Sequence, residues 1–283
     1  MTADLLAGLA ETVGRALVED AADHDMTTQG LISPSMQGKG ELLAKADGVL
    51  AGLPVAREVF AQVDAGLTFT PLLTDGSALV HGTVFATVSG SLASILSGER
   101  VALNFLQHLS GIATAANAYA QAVSGTGTVV LDTRKTTPGL RKLEKYAVGM
   151  GGATNHRMDL SDGVLIKDNH LQALRGQGWS TVRILEQART ASPISTTVEV
   201  EVTSVVEARE AIEAGADVIL LDNMSSAELR EAVAVIGGRC KTEASGGITL
   251  ETVRQVAETG VDYISVGALT HSVKALDISL EVL

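Results

Sequence analysis

From about residue 125 onward the chain repeats one unit, a short apolar run followed by a stretch with helical spacing, and that rhythm leaves few folds open. The candidate strands are Thr128–Asp132, Gly163–Ile166, Thr197–Val202, Val218–Leu221, Lys241–Glu243 and Tyr263–Val266. Helical spacing fills Ser180–Thr190, Ser204–Ala214, Ser225–Ile236 and Leu250–Thr259 between them. Strands joined by crossover helices pair in parallel, and the helices cover the outer face of the sheet. Six such units in one run favour a barrel, complete or partly open, over a doubly wound sheet. No Gly-x-Gly-x-x-Gly or Gly-x-x-x-x-Gly-Lys-Ser/Thr follows the first strand, so neither a dinucleotide fingerprint nor a P-loop is present there.

The first hundred residues have a different texture. Helical spacing covers Leu5–Glu19, Pro54–Val63 and Ser97–Ala120, and strand-like alternation covers Gly40–Leu50 and Val80–Gly90. An Asp-rich turn, Asp20–Thr28, follows the first helix. The expected architecture is therefore α/β with two domains: residues 1–109 as an α/β sandwich and residues 110–271 as an α/β barrel. Residues 272–283 are left with two destinations, closing the barrel or packing back on the first domain.

Composition narrows the function classes. A net charge of −12 is the wrong sign for nonspecific binding to nucleic acid. No apolar run is long enough to span a bilayer, and Met1–Gly14 lacks the cationic start and apolar centre of a signal peptide. A single cysteine, Cys240, cannot form an intramolecular disulfide, which fits a cytoplasmic, reducing location.

Chemistry in a parallel α/β barrel gathers at the carboxyl ends of the strands. After the first strand comes Asp132-Thr133-Arg134-Lys135, and around the second lie Asn155-His156-Arg157 and Lys167-Asp168-Asn169-His170. Arg134, Lys135, Arg157 and Lys167 thus concentrate positive charge at two consecutive strand ends of an acidic chain. Such a cluster repels itself unless acidic side chains or a bound anion neutralise it. Glu144, Asp159 and Asp168 are possible internal partners, and a small, multiply anionic substrate is the functional counterpart. Glu199 and Glu201 lie two apart in Val-Glu-Val-Glu-Val, so both face one side of their strand; with valines facing the helices, the glutamates point into the barrel. Glu201 and Asp222 would suit a hard divalent cation such as Mg²⁺. Ser245-Gly246-Gly247, before a helix with Thr249 as its expected N-cap, and Gly267 after the next strand offer backbone donors for a phosphate.

Taken together, these segments resemble the quinolinate phosphoribosyltransferase family. The resemblance is carried by Gly98-Glu99-Arg100 with Asn104, Leu109-Ser110-Gly111-Ile112-Ala113-Thr114 and Asp132-Thr133-Arg134-Lys135-Thr136-Thr137-Pro138-Gly139. It continues through Asn155-His156-Arg157, Ile166-Lys167-Asp168-Asn169-His170, Val198-Glu199-Val200-Glu201-Val202, Leu221-Asp222-Asn223 and Glu243-Ala244-Ser245-Gly246-Gly247-Ile248. It spans about Glu19 to Asp277 in one order, with one departure, Asp23-His24-Asp25, where the family more often has Gly before the second Asp.

The resemblance implies a type II phosphoribosyltransferase fold and a decarboxylating transfer of phosphoribose from phosphoribosyl pyrophosphate to quinolinate, with Mg²⁺. The products would be nicotinate mononucleotide, CO₂ and pyrophosphate, in NAD synthesis. It also implies a homodimer, or a larger assembly built from it, in which Arg100 reaches the site of the other subunit. By the same resemblance Arg134, His156, Arg157 and Lys167 belong to the quinolinate pocket. Lys135, Glu201 and Asp222 belong to the phosphoribosyl pyrophosphate and its metal, and Ser245, Gly246, Gly247 and Gly267 to the 5′-phosphate.

Alternatives stay open at this level. A barrel of the same fold, of the molybdate-operon type, could act on another aromatic acid. A phosphosugar isomerase or aldolase would need a Schiff-base Lys in apolar surroundings or a poised acid–base pair. A noncatalytic ligand-binding barrel is the remaining reading.

Overall fold

The structure is a computed structural model, and it describes Leu6 and residues 8–283. The start of the expected first helix, at Leu5, lies outside the described residues. Two compact units emerge. The first gathers residues up to Asn117, Thr136–Gly152 and Leu269–Leu283; the second gathers Ala118–Lys135 and Ala153–Ala268.

The first unit begins with helices α1 (Leu9–Glu19) and α2 (Met26–Leu31). Asp25 caps α2 by accepting the Thr28 amide at 3.0 Å, so the Asp-rich turn works as a helix start. Strand β1 (Gln37–Ala44) and the two-residue β2 (Gly48–Val49) replace the single strand expected over Gly40–Leu50, because the chain turns at residues 45–47. Helix α3 (Leu53–Val63) follows, with Pro in its first turn, where no N–H is needed. Strands β3 (Thr68–Pro71), β4 (Ala78–Leu79) and β5 (Val84–Ser91) lead to the 31-residue helix α4 (Leu92–Ala122).

The main sheet of this unit is antiparallel, in the order β12-β1-β5-β3, where β12 (Ile278–Val282) is the last strand of the chain. The final residues therefore return to the first unit, Leu42 facing Leu280 in register. Alternation along β1 buries Leu42 and Ala44 with Phe85 and Val88 of β5. Residues 136–152, assigned by sequence to the barrel domain, fold back here as helix α5 (Arg141–Met150). Gly151, at the end of α5, lies so close to the Ala113 carbonyl of α4 that a Cβ would overlap it. Glycine is what permits that approach.

The second unit holds the repeating pattern. Its strands are β6 (Val129–Leu131), β7 (Val164–Ile166), β8 (Val198–Val202), β9 (Val218–Asp222), β10 (Lys241–Ser245) and β11 (Tyr263–Ser265). All pair in parallel, in the order β6-β11-β10-β9-β8-β7. That order is the chain order bent round on itself, with β6 and β7 as unpaired edges: an open barrel. One parallel bridge, Leu131 to Thr154, extends the β6 edge.

Helices α6 (Asp168–Arg175), α7 (Thr181–Thr190), α8 (Val205–Glu213), α9 (Ser226–Ile236) and α10 (Val253–Ala257) connect the strands, and α11 (Ala268–His271) follows the last of them. Ser180, Ser204 and Ser225 cap α7, α8 and α9 by accepting amides three residues on, satisfying donors that a helix start would otherwise leave open. Val198, Val200 and Val202 are buried, as the alternation with Glu199 and Glu201 requires. The expected N-cap Thr249 is a correction: α10 starts only at Val253, and Thr249 lies in the loop before it, its amide donating to the Thr252 hydroxyl at 3.0 Å. A five-residue helix beginning there adds little dipole to the glycine turn.

Candidate active site

At the carboxyl ends of the barrel strands lies a cavity of about 470 Å³. One part of its wall is cationic, with Arg134 and Lys135 after β6, Arg157 on the segment before β7, and Lys167 directly after β7. Facing polar groups come from Glu201 on β8, Asp222 at the end of β9, and Ser245, Gly246 and Gly247 after β10. The barrel register explains the meeting: in a parallel sheet, neighbouring strand ends lie about 4.8 Å apart, so residues far apart in sequence become neighbours. All four cations of the sequence reading reach this cavity, and so do both glutamates' strand and the glycine turn.

Arg134 and Arg157 act on each other through space. Burial, and then the like charge of Arg134, lower the Arg157 pKa from its ordinary value, while Glu199 and Asp162 pull the other way. Lys167 Nζ lies 3.6 Å from Glu201 Oε2. Burial raises the Glu201 pKa above the usual range, Lys167 opposes this, and the charges of Asp222 and Asp168 add to it. Of the proposed internal partners, Glu144 belongs to the first unit, where it pairs with His108 at 2.9 Å and accepts the Thr137 amide. Asp168 Oδ1 accepts the Asn169 amide at 2.6 Å.

Beneath this cavity is a buried hub that the sequence reading did not assemble. His156 Nε2 lies 3.4 Å from both Glu199 Oε2 and Glu243 Oε2. Asp132 Oδ1 accepts the His156 amide, and in the neutral ring His156 Nδ1 accepts the Arg157 amide at 2.7 Å. His156 thus lines the cavity with its ring nitrogens turned to protein groups, Nε2 toward the two glutamates and Nδ1 toward the Arg157 amide. The same hub also lines a second cavity of about 610 Å³ that opens toward Thr197, Val218 and Tyr263, at the starts of strands β8, β9 and β11. Glu243 was legible only as one more strand-end acid; period 2 on β10 puts it on the face of Ser245, and that parity is the signal that marks it as inward.

Four further placements complete the comparison with sequence. Ser265 of β11 and Asn223 after β9 line the cavity, and neither had been given a role. Gly267 follows β11 but is not among the lining residues. Arg100 is an exposed residue of α4 in the first unit.

Comparison with known proteins agrees with this geometry. The family model for the quinolinate phosphoribosyl transferase C-terminal domain matches residues 112–281, and that for the N-terminal domain matches residues 25–110. The chain belongs to the quinolinate phosphoribosyltransferase family. A tobacco (Nicotiana tabacum) quinolinate phosphoribosyltransferase [decarboxylating] is 44% identical, over 94% of this chain and 80% of its own. A probable nicotinate-nucleotide pyrophosphorylase [carboxylating] of Bacillus subtilis is 43% identical, over 97% and 93%. Among solved structures, NadC from Streptococcus pyogenes superposes with a TM-score of 0.92 at 44% identity, covering 98% of each chain. The fold of this family member is therefore shared with that solved structure. No helix among the described residues is long and apolar enough to cross a membrane.

The hub makes a pH prediction. Burial alone would lower the His156 pKa, but hydrogen bonds to Glu199 and Glu243 outweigh it and push the imidazole from 6.5 up to about 10. The Arg157 amide at Nδ1 opposes protonation, yet one amide weighs less than two carboxylates. With a raised folded pKa, the stabilisation is fully present below the unfolded value near 6.5 and is lost as pH rises through about 10. Titration of the His156 ring by NMR should give a midpoint well above 8, moving down in Glu243→Gln. A midpoint near 6.5 in the unaltered protein contradicts this electrostatic account.

Proposed function

We propose that this chain transfers the phosphoribosyl group of phosphoribosyl pyrophosphate to quinolinate and decarboxylates the product, giving nicotinate mononucleotide, CO₂ and pyrophosphate for NAD biosynthesis. The observation that carries this reading is one cavity with a wall of Arg134, Arg157 and Lys167 beside the carboxylates of Glu201 and Asp222 and a Ser-Gly-Gly turn. A pyridine dicarboxylate needs several cations on one wall, and Arg presents the planar fork that suits a carboxylate. A ribosyl cation developing at C1 needs negative charge nearby, and a 5′-phosphate needs close backbone donors.

In the mechanism, Arg134, Arg157 and Lys167 hold the two carboxylates and aim the ring nitrogen at C1 of the ribose. As the C1–oxygen bond to pyrophosphate breaks, Glu201 and Asp222 stabilise positive charge on the sugar and Lys135 stabilises the leaving group. Glu201 and Asp222 offer oxygen donors only, which fits Mg²⁺ held directly or through water. When bound there, Mg²⁺ would neutralise charge on the pyrophosphate. Ser245, Gly246 and Gly247, which line the cavity, take the 5′-phosphate. Once the ring nitrogen is alkylated, the C2–carboxylate bond breaks; its electrons remain on C2, stabilised by the adjacent cationic nitrogen, and C2 then gains a proton while CO₂ leaves. No enzyme nucleophile is required. Cys240, its thiol pushed up to about 11 by burial, precedes the amino end of β10, away from the strand ends that form the site.

An aldolase or isomerase reading is disfavoured by Lys167, which pairs with Glu201 and keeps about half of its side chain exposed (51%), unlike a Schiff-base lysine in an apolar pocket. The working unit in this proposal is a cytoplasmic homodimer whose sites are each completed by Arg100 of the partner subunit; the exposure of Arg100 on α4 supports that role.

Two measurements test the proposal. Purified protein with Mg²⁺ and phosphoribosyl pyrophosphate should convert quinolinate to nicotinate mononucleotide and CO₂ and leave nicotinate unchanged; turnover of nicotinate alone would sink the choice of substrate. Separately, Arg100→Ala and Lys167→Ala should each be nearly inactive, and subunit exchange between them should restore about a quarter of full activity, because half of the dimers then carry one intact site. No recovery on exchange contradicts the shared site.

A further inference from the structure

Asn223 occupies a place that glycine usually takes. Its φ is 55°, and apart from Ala21 it is the only non-glycine with positive φ among the described residues. It follows Asp222 at the end of β9 and faces the glycine turn after β10. The Asn223 amide donates to the Ser245 carbonyl at 2.9 Å. Its side-chain Nδ2 donates to Asp222 Oδ2 at 2.6 Å, while Asp222 Oδ1 accepts no hydrogen bond from the described residues. The side chain also fills the space where Gly246 has no Cβ: a Cβ there would overlap Asn223 Oδ1 and come within 2.6 Å of Cγ.

One residue therefore touches both halves of the site. Its amide fixes one oxygen of the Asp222 carboxylate and leaves the other available. Its backbone and side chain together set the position of Ser245 and Gly246, both of which line the same cavity. Left-handed backbone is unfavourable for a non-glycine residue, with Asn among the best tolerated. If only the backbone turn mattered, Gly would serve better; the side chain must carry the benefit.

We propose that Asn223 is a positioning residue that locks the Asp222 carboxylate and the Ser245-Gly246 turn together, so that the ribose–metal side and the 5′-phosphate side of the site are built as one piece. This rests on the functional reading above. It predicts that loss of the Asn223 side chain weakens recognition of the sugar phosphate at both ends and leaves the dicarboxylate wall as it was.

The test uses the full chain with Asn223→Gly, which keeps the left-handed turn, and Asn223→Asp, which keeps the size but sets a second carboxylate beside Asp222. Binding is read by calorimetry with two probes, ribose 5-phosphate without metal and phosphoribosyl pyrophosphate with Mg²⁺, and thermal unfolding is followed in parallel. In Asn223→Gly both probes should bind about tenfold more weakly, the size of effect seen when a group orienting a ligand carboxylate is removed. The KM for quinolinate and the unfolding midpoint should stay unchanged, and Asn223→Asp should bind the metal-containing probe at least as weakly as the Gly variant. Wild-type affinity for either probe in Asn223→Gly overturns the proposal, as does a loss matched by a lowered unfolding midpoint. Unaltered protein that binds neither probe would instead overturn the functional reading, a result distinct from one in which it binds and the Gly variant binds equally well.

Discussion

Repulsion among fixed positive charges is the constraint around which the second unit is organised. Arg134, Lys135, Arg157 and Lys167 share one cavity wall, and the Arg157 pKa is depressed first by burial and then by the like charge of Arg134 beside it. A flexible surface would let such side chains swing apart. Short parallel strands fixed by capped helices hold their roots in place, and the hub of His156, Glu199 and Glu243 supplies buried negative charge below them. A multiply anionic ligand adds negative charge against this wall and so lowers the repulsion among its cations.

The opposite wall is built by different means. Glu201 and Asp222 sit at the ends of neighbouring strands, and burial first, with the negative charges of Asp222 and Asp168, raises the Glu201 pKa against the pull of Lys167. Asn223 then bonds both the Asp222 carboxylate and the Ser245 carbonyl before the glycines. A sugar that must carry positive charge at one carbon and a phosphate at another is met by carboxylates and backbone donors a few ångströms apart. That separation of charge across one cavity, cations for the acid and carboxylates for the sugar, is the physical content of the family assignment.

Much of this was legible in the residues. Periodicity located all six barrel strands because they are short and set off by helical stretches, and Ser180, Ser204 and Ser225 announced three helix starts. Alternation in Val198–Val202 gave the inward face of β8. Other features lay outside local pattern. Helix α5 keeps an amphipathic pattern but is polar in composition, with Glu144 and Lys145 buried in it, so its residues read as a solvated segment rather than a packed helix. Strands β3 and β4 are too short and too exposed to alternate clearly. The return of residues 136–152 to the first unit depends on the contact at Gly151, which spacing along the chain does not encode. The hub required knowing that Glu199 and Glu243, on strands separated by β9, share one lumen. Arg100 came from family resemblance alone, and spacing would have left it a surface residue.

The central claim is that the cationic wall counts carboxylates. Calorimetric binding of quinolinate and of nicotinate to the ligand-free protein tests it most directly, since the two differ by one carboxylate. Quinolinate should bind at least about tenfold more tightly, as one added charge-assisted, bidentate contact to Arg warrants, and that advantage should vanish in Arg157→Met. Equal affinities in the unaltered protein, or a preference untouched by the loss of Arg157, would contradict the account.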